Sequence, residues 1–147
     1  VTLSLPYGLC SIDSLDLYRP ILFIAAGTGF APVNAMIEQS LATADSRTLE
    51  LYWGARSQSD LYMENKLISW QSHVSRFSYF SLLSDERKQT LVSYVLKNHP
   101  HDLNEWQIVL SGPFDMVYST RDILVAQGMS PNQLFSDAFS FEVKKES

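Results

Sequence analysis

From Arg19 onward, short apolar runs alternate with longer amphipathic segments. Ile21-Leu22-Phe23-Ile24-Ala25-Ala26 is a continuous apolar run between Pro20 and Gly27, which predicts a strand buried on both faces. After a glycine turn, the spacing of Val33, Ile37 and Leu41 predicts a helix from Pro32 to about Thr43. Pro32 falls in its first turn, where a missing N–H removes no intrahelical bond. The alternation then repeats: a strand over 48–54, a helix from Leu61 to about Ser72, a strand over 77–83 and a helix over 90–98 that ends at His99-Pro100. A strand over 106–110 and a helix over 114–127 follow, the latter closed by Gly128 in a C-terminal cap position. Leu134-Phe135 opens a short fifth strand. This order predicts an α/β fold, a doubly wound parallel five-stranded sheet with helices on both faces and strand order 3-2-1-4-5. Before it, residues 2–12 alternate briefly until Pro6 and Gly8 break them, as at a strand end and turn, and Asp13 to Tyr18 reads as a linker. The expected division is therefore 1–18 and 19–147.

Composition narrows this picture. The 147 residues suit one domain, which at this size buries roughly 68–70% of its unfolded surface. With 46% hydrophobic and 18% charged residues the chain is globular in composition, and its longest apolar run is far below the ~18 residues of a membrane span. The single cysteine, Cys10, excludes an internal disulfide and a cysteine-ligated cluster within the chain, so redox chemistry requires a borrowed cofactor. A net charge of −5 argues against nucleic acid and anionic membranes as partners. Nothing near Val1 has signal-peptide character, so a cytoplasmic location is expected. The start Val1-Thr2-Leu3, lacking Met, reads as a piece of a longer polypeptide.

In doubly wound sheets ligands bind at the carboxyl ends of the strands, where the strand order reverses. After the first strand comes Gly27-Thr28-Gly29-Phe30-Ala31-Pro32, directly before a helix. Glycines let the backbone turn sharply and approach a ligand, and a helix start offers N–H groups to a phosphate. The same residues also make a tight turn with no ligand. A third fingerprint glycine is replaced by Pro32, so this is not the ordinary dinucleotide turn. After the second strand, Arg56 and Ser57 stand in the region where an acid usually binds ribose, and they suit an adenosine ribose or a 2′-phosphate. Arg56 as a solvated loop charge remains the alternative, and Asp60 is preferred as a helix N-cap. Ser111-Gly112-Pro113 lies at the end of the fourth strand, and the two turns are expected to form opposite lips of one cleft.

Four stretches, Pro6-Tyr7-Gly8, Ala26 to Pro32, Tyr52 to Arg56 with Asp60-Leu61-Tyr62, and Ser111-Gly112-Pro113 with Met116, resemble in their order the NAD(P)-binding half of the ferredoxin-NADP reductase superfamily. The Tyr52-Trp53-Gly54 triplet and the ending Asp137 to Phe141 look most like bacterial NAD(P)H-flavin reductases, and similar endings occur in iron-sulfur flavoprotein reductases. The resemblance implies that Gly27, Thr28 and Gly29 hold the pyrophosphate and nicotinamide end and that Arg56 reaches the adenosine end. It further implies that Ser111, Gly112 and Pro113 line the nicotinamide pocket and that Phe139 lies near the flavin ring, with Thr28, Ser111 and Phe139 at the hydride-transfer centre. Many members carry Cys where this chain has Ser111. Asp137 could tune the flavin, bind a ribose or serve as a cap. The implied cofactors are NADH or NADPH and a flavin (FAD, FMN or free flavin as substrate). The implied partners are an N-terminal flavin-binding domain of the same protein, with residues 1–18 as its exit and linker, and a flavin or redox carrier as acceptor. The alternatives are a reductase feeding an iron-sulfur carrier and a nonenzymatic doubly wound binding module.

The remaining chemistry-bearing residues read as structural. His73, His99 and His101 show no metal-ligand spacing, and His99 and His101, beyond a helix end, are expected to be solvated or capping. Trp53, Trp70 and Trp106 are expected to pack the core, Cys10 to be a structural thiol, and no serine has the context of a nucleophile elbow.

Overall fold

The structure, a computed structural model, describes residues 15–43, 45–55, 64–83 and 90–136. Among these residues five strands form one sheet: β1 (Ile21–Ala26), β2 (Leu49–Ala55), β3 (Phe77–Leu83), β4 (Gln107–Ser111) and β5 (Leu134–Phe135). Four helices alternate with them: α1 (Phe30–Ala42), α2 (Glu64–His73), α3 (Leu91–Asn98) and α4 (Phe114–Ala126). All strand pairs are parallel and the order is β3-β2-β1-β4-β5, as expected. β1 is central and its first five residues are buried, because apolar layers cover both of its faces. On one face Phe23, Ala25, Leu51 and Trp53 pack with Phe30, Val33 and Ile37 of α1 and Leu67 of α2. On the other, Leu22, Ile24, Tyr52 and Leu110 pack with Val92 and Val95 of α3 and Val117 and Leu124 of α4.

α1 begins two residues earlier than the apolar spacing suggests, since a 3-10 turn over Gly27–Gly29 feeds into it without a break. Pro32 is still in the first turn. Gly128 ends α4 as expected: its φ is +104°, its N–H donates to Val125 O at 2.9 Å and the Met129 N–H donates to Leu124 O at 3.1 Å. These two bonds make a Schellman cap, and Leu124 and Met129 both enter the core beneath it.

The amino ends of the strands are cross-linked by side chains. Arg47, almost wholly buried, pairs with Asp45 at 2.8 Å and donates to Asp16 O at 3.0 Å, while Arg76 donates to Ser40 O and Arg47 O, both at 2.8 Å. Burial alone would raise the Asp45 pKa, but the hydrogen bonds from Arg47 and Ser40 hold it well below the carboxylate range. Gln107 ties down the approach to β1: its Oε1 accepts the Asp16 N–H at 2.6 Å, and its Nε2 donates to Asp16 O at 2.9 Å and Arg19 O at 3.1 Å. Leu15 is buried in the α1 side of the core, so the chain joins the domain by that residue. Pro6-Tyr7-Gly8 and Cys10 lie outside the described residues. No helix among the described residues is long and apolar enough to cross a membrane.

Candidate functional site

β1 and β4 lie side by side, with β2 and β3 beyond one and β5 beyond the other, so the switch in strand order falls between them. Their carboxyl ends carry the two turns that the sequence singles out. Gly27 has φ +57°, is exposed, and a Cβ placed on it would meet nothing within 4 Å among the described residues. That backbone therefore turns left-handed at no steric cost and presents an open face to an incoming group. No acidic residue lies in the 3-10 turn or the first turn of α1, so the positive end of the helix is not neutralised from within. The open face and the uncapped helix start fit a phosphate.

Gly29 does something different. A Cβ there would sit 2.4 Å from Ser111 O and 2.7 Å from Gly112 N, so its bare Cα is pressed against the second turn. Gly112 (φ +153°) returns the contact: a Cβ on it would lie 3.2 Å from the Ala26 Cβ and 2.6 Å from the Met116 Cε. The two turns are thus packed together where their glycines meet. Ser111, half-buried, is the register partner of Ala25, and Pro113 takes the N-cap position of α4. The backbone of Thr28 lies in the first turn, and its side chain is outside the described set. Arg56, Asp60, Asp137 and Phe139 are also outside it. The structure thus brings Gly27, Gly29, Ser111, Gly112 and Pro113 to one end of the sheet.

The profile of the oxidoreductase NAD-binding domain family matches residues 23–122, from the middle of β1 through most of α4. The chain belongs to this family. Among related proteins, it is 30% identical over 129 residues to a probable flavin reductase of Vibrio harveyi, an alignment covering 84% of this chain and 55% of that protein. It is 26% identical over 144 residues to reductase component 1 of terephthalate 1,2-dioxygenase from Comamonas, covering 94% of this chain and 43% of that one. Among solved structures, the Amycolatopsis cytochrome P450 reductase GcoB superposes with a TM-score of 0.74 at 25% identity, over 88% of this chain and 40% of that chain. The chain thus spans about half the length of these relatives. They agree with the superfamily to which the motifs pointed.

Within this NAD-binding domain two residues have roles that the sequence reading missed. Trp53 does pack the core, but it also donates its indole N–H to Gly27 O at 3.3 Å and stacks on Phe30, centroids 4.1 Å apart at 13°. It therefore touches both ends of the glycine turn. His99, expected to be solvated or capping, does occupy the C-cap of α3, but its ring is buried. Nε2 lies 2.7 Å from Glu50 Oε1 and Nδ1 lies 2.9 Å from Asp102 Oδ1. Carboxylates only accept, so both ring nitrogens donate and the imidazolium is the form that satisfies them. The hydrogen bond to Glu50 raises its pKa against the opposing effect of burial, and Asp102 adds to the rise. Among the described residues no three such groups are arranged to hold a metal ion. The cluster sits at the amino end of β2, away from the glycine turns, and its role is to fasten α3. The spacing of four from Leu91 through Val95 to His99 could have placed that imidazole on the buried stripe.

Proposed function

We propose that this chain is the pyridine-nucleotide half of a flavin-dependent oxidoreductase, positioning NADH or NADPH for hydride transfer to a flavin. The observation that carries the reading is the open, left-handed Gly27 at the carboxyl end of β1, in a turn whose Gly29 is pressed against the Ser111–Gly112 turn of β4, within a domain of the NAD-binding family. In this reading the Gly27–Gly29 turn and the start of α1 take the pyrophosphate, and Ser111, Gly112 and Pro113 flank the nicotinamide. On the same reading Arg56 is assigned to the adenosine end, Phe139 to the flavin ring, and Asp137 to tuning the flavin or binding a ribose. When bound, the dihydronicotinamide supplies the hydride, two electrons with one hydrogen nucleus, which flavin N5 accepts. The protein's part is orientation: the two rings must be held within about 3–3.5 Å. The small side chain of Ser111 suits that approach, and no general acid or base is needed at the hydride step. The flavin is supplied by an N-terminal domain of the same polypeptide, in keeping with relatives about twice the length of this chain. The outlet is free flavin or a redox carrier protein.

Equilibrium titration of the 147-residue chain tests this reading. It should bind NADH or NADPH saturably and purify without stoichiometric flavin. A chain that binds neither nucleotide, or that retains one flavin per molecule, contradicts the proposal. Arg56→Ala should weaken NADPH more than NADH, in line with a guanidinium beside a 2′-phosphate.

A further inference from the structure

We infer that Trp53 is a positioning residue of the nucleotide turn, holding from a neighbouring strand the peptide whose orientation presents the turn to a pyrophosphate. The inference rests on the reading of Gly27–Gly29 as the phosphate-binding turn and assigns it a second layer of support.

Trp53 belongs to β2, while the turn follows β1, and the two meet because Trp53 is in register with Ala25. Register partners in a parallel pair point to the same face, and both side chains lie in the core layer beneath α1. Ala25, on the same face as Trp53, has a small side chain that leaves the volume through which a fully buried indole reaches Gly27. An indole N–H is a donor only, and once buried it requires an acceptor. The carbonyl of Gly27 is one, at 3.3 Å. On the far side of the turn, Phe30, the first residue of α1, lies flat on the same indole. One side chain thereby fixes the peptide that leaves Gly27 and the helix start that receives Gly29. With the Gly27 carbonyl drawn into the core, its Cα face stays open to solvent.

The role is separable from bulk packing. Phe at position 53 keeps an aromatic ring against Phe30 and removes the donor. Trp106 provides the matched control: it is also buried, its indole N–H also reaches an acceptor (Asp102 Oδ2, 3.4 Å), and it precedes β4 at the opposite end of the sheet. Trp53→Phe should lower affinity for NADH, NADPH and ADP-ribose by about three- to tenfold, the range of one net hydrogen bond. It should also speed amide exchange over residues 27–31 in the ligand-free chain. Trp106→Phe should change affinity by less than about twofold. Equal affinity and unchanged exchange in Trp53→Phe overturn the assignment, as does an equal loss of affinity in Trp106→Phe, which would reduce both to general stability. If the wild-type chain binds no nucleotide, the reading of the site fails, while exchange over 27–31 still decides whether Trp53 holds the turn.

Discussion

Gly27 and Gly29 stand two residues apart in one turn, yet the hydrogen in place of a side chain serves a different end in each. At Gly29 a methyl group would be driven into the Ser111 carbonyl at 2.4 Å, backbone against backbone, with no flexible side chain to yield. Gly29→Ala should therefore destabilise the fold by about 1–3 kcal/mol, the range for overpacking a tight contact. At Gly27 the methyl meets nothing within 4 Å among the described residues, and the left-handed φ of +57° is what is penalised, roughly 1–2 kcal/mol. The two variants should separate by function: Gly27→Ala is expected to lose nucleotide affinity, because on the proposed reading its methyl projects toward the pyrophosphate. Denaturant midpoints and nucleotide titrations on both check this, and a Gly29→Ala protein as stable as wild type would show that the turns are not pressed together. The need for glycine in this stretch was legible in the sequence. Which glycine faces outward was not, because that depends on the 111–112 peptide, more than eighty residues away along the chain. Trp53 shows the same limit: its aromatic bulk predicted burial, but only its register with Ala25 reveals that its N–H reaches Gly27.

α3 shows how an element is fixed against the sheet at both ends. At its start the Thr90 hydroxyl accepts the Ser93 N–H at 3.2 Å and the Ser93 hydroxyl accepts the Thr90 N–H at 3.1 Å, a reciprocal cap. Leu91 then lies on Gly54 so closely that a Cβ there would be 2.8 Å from its Cδ1. At the other end His99 ties the helix to Glu50 of β2 and to Asp102, and Glu50 also accepts the Tyr52 hydroxyl at 3.1 Å. The folded state raises the His99 pKa, so the folded protein holds that proton more tightly than the unfolded chain does. Its contribution to stability is complete below the unfolded value of about 6.5 and is lost as pH rises through the elevated folded value. Denaturation midpoints from pH 6 upward should fall in the wild type and fall less in His99→Gln. Parallel curves for the two would remove His99 as the cause. Elements of this kind were largely legible, since the bounds of β3 and the cap at Gly128 follow from local apolar spacing and turn chemistry. The spacing of four puts Leu91, Val95 and His99 on one stripe, but it does not reveal the carboxylate of Glu50, which comes from another strand.

Across the whole molecule, the two ends of the parallel sheet are built from different materials. The carboxyl ends carry glycine turns with small or absent side chains, suited to admitting a ligand, whereas the amino ends carry the Asp45, Arg47 and Arg76 network and the Gln107 joint. Alternation of strands and helices announced a parallel sheet, and the doubly wound order placed the ligand end, so this polarity was partly foreseeable. The joint was not: nothing local marks Gln107, in a strand otherwise buried and apolar except at its far end, as the partner of Asp16. Its amide satisfies one N–H and two carbonyls of the segment leading into β1, so Gln107→Ala strips partners from polar backbone that the fold has partly removed from water. A loss of about 1–3 kcal/mol is expected, with faster amide exchange over residues 15–20. Nucleotide affinity should hold, because the joint and the Gly27 turn lie at opposite ends of the strands and share no side chain. Stability by chemical denaturation and affinity by titration, measured on the same Gln107→Ala protein, separate the two quantities. A parallel loss of affinity would mean that β4 transmits strain from Gln107 to Ser111 along its five residues, and that the two ends of the sheet act as one unit.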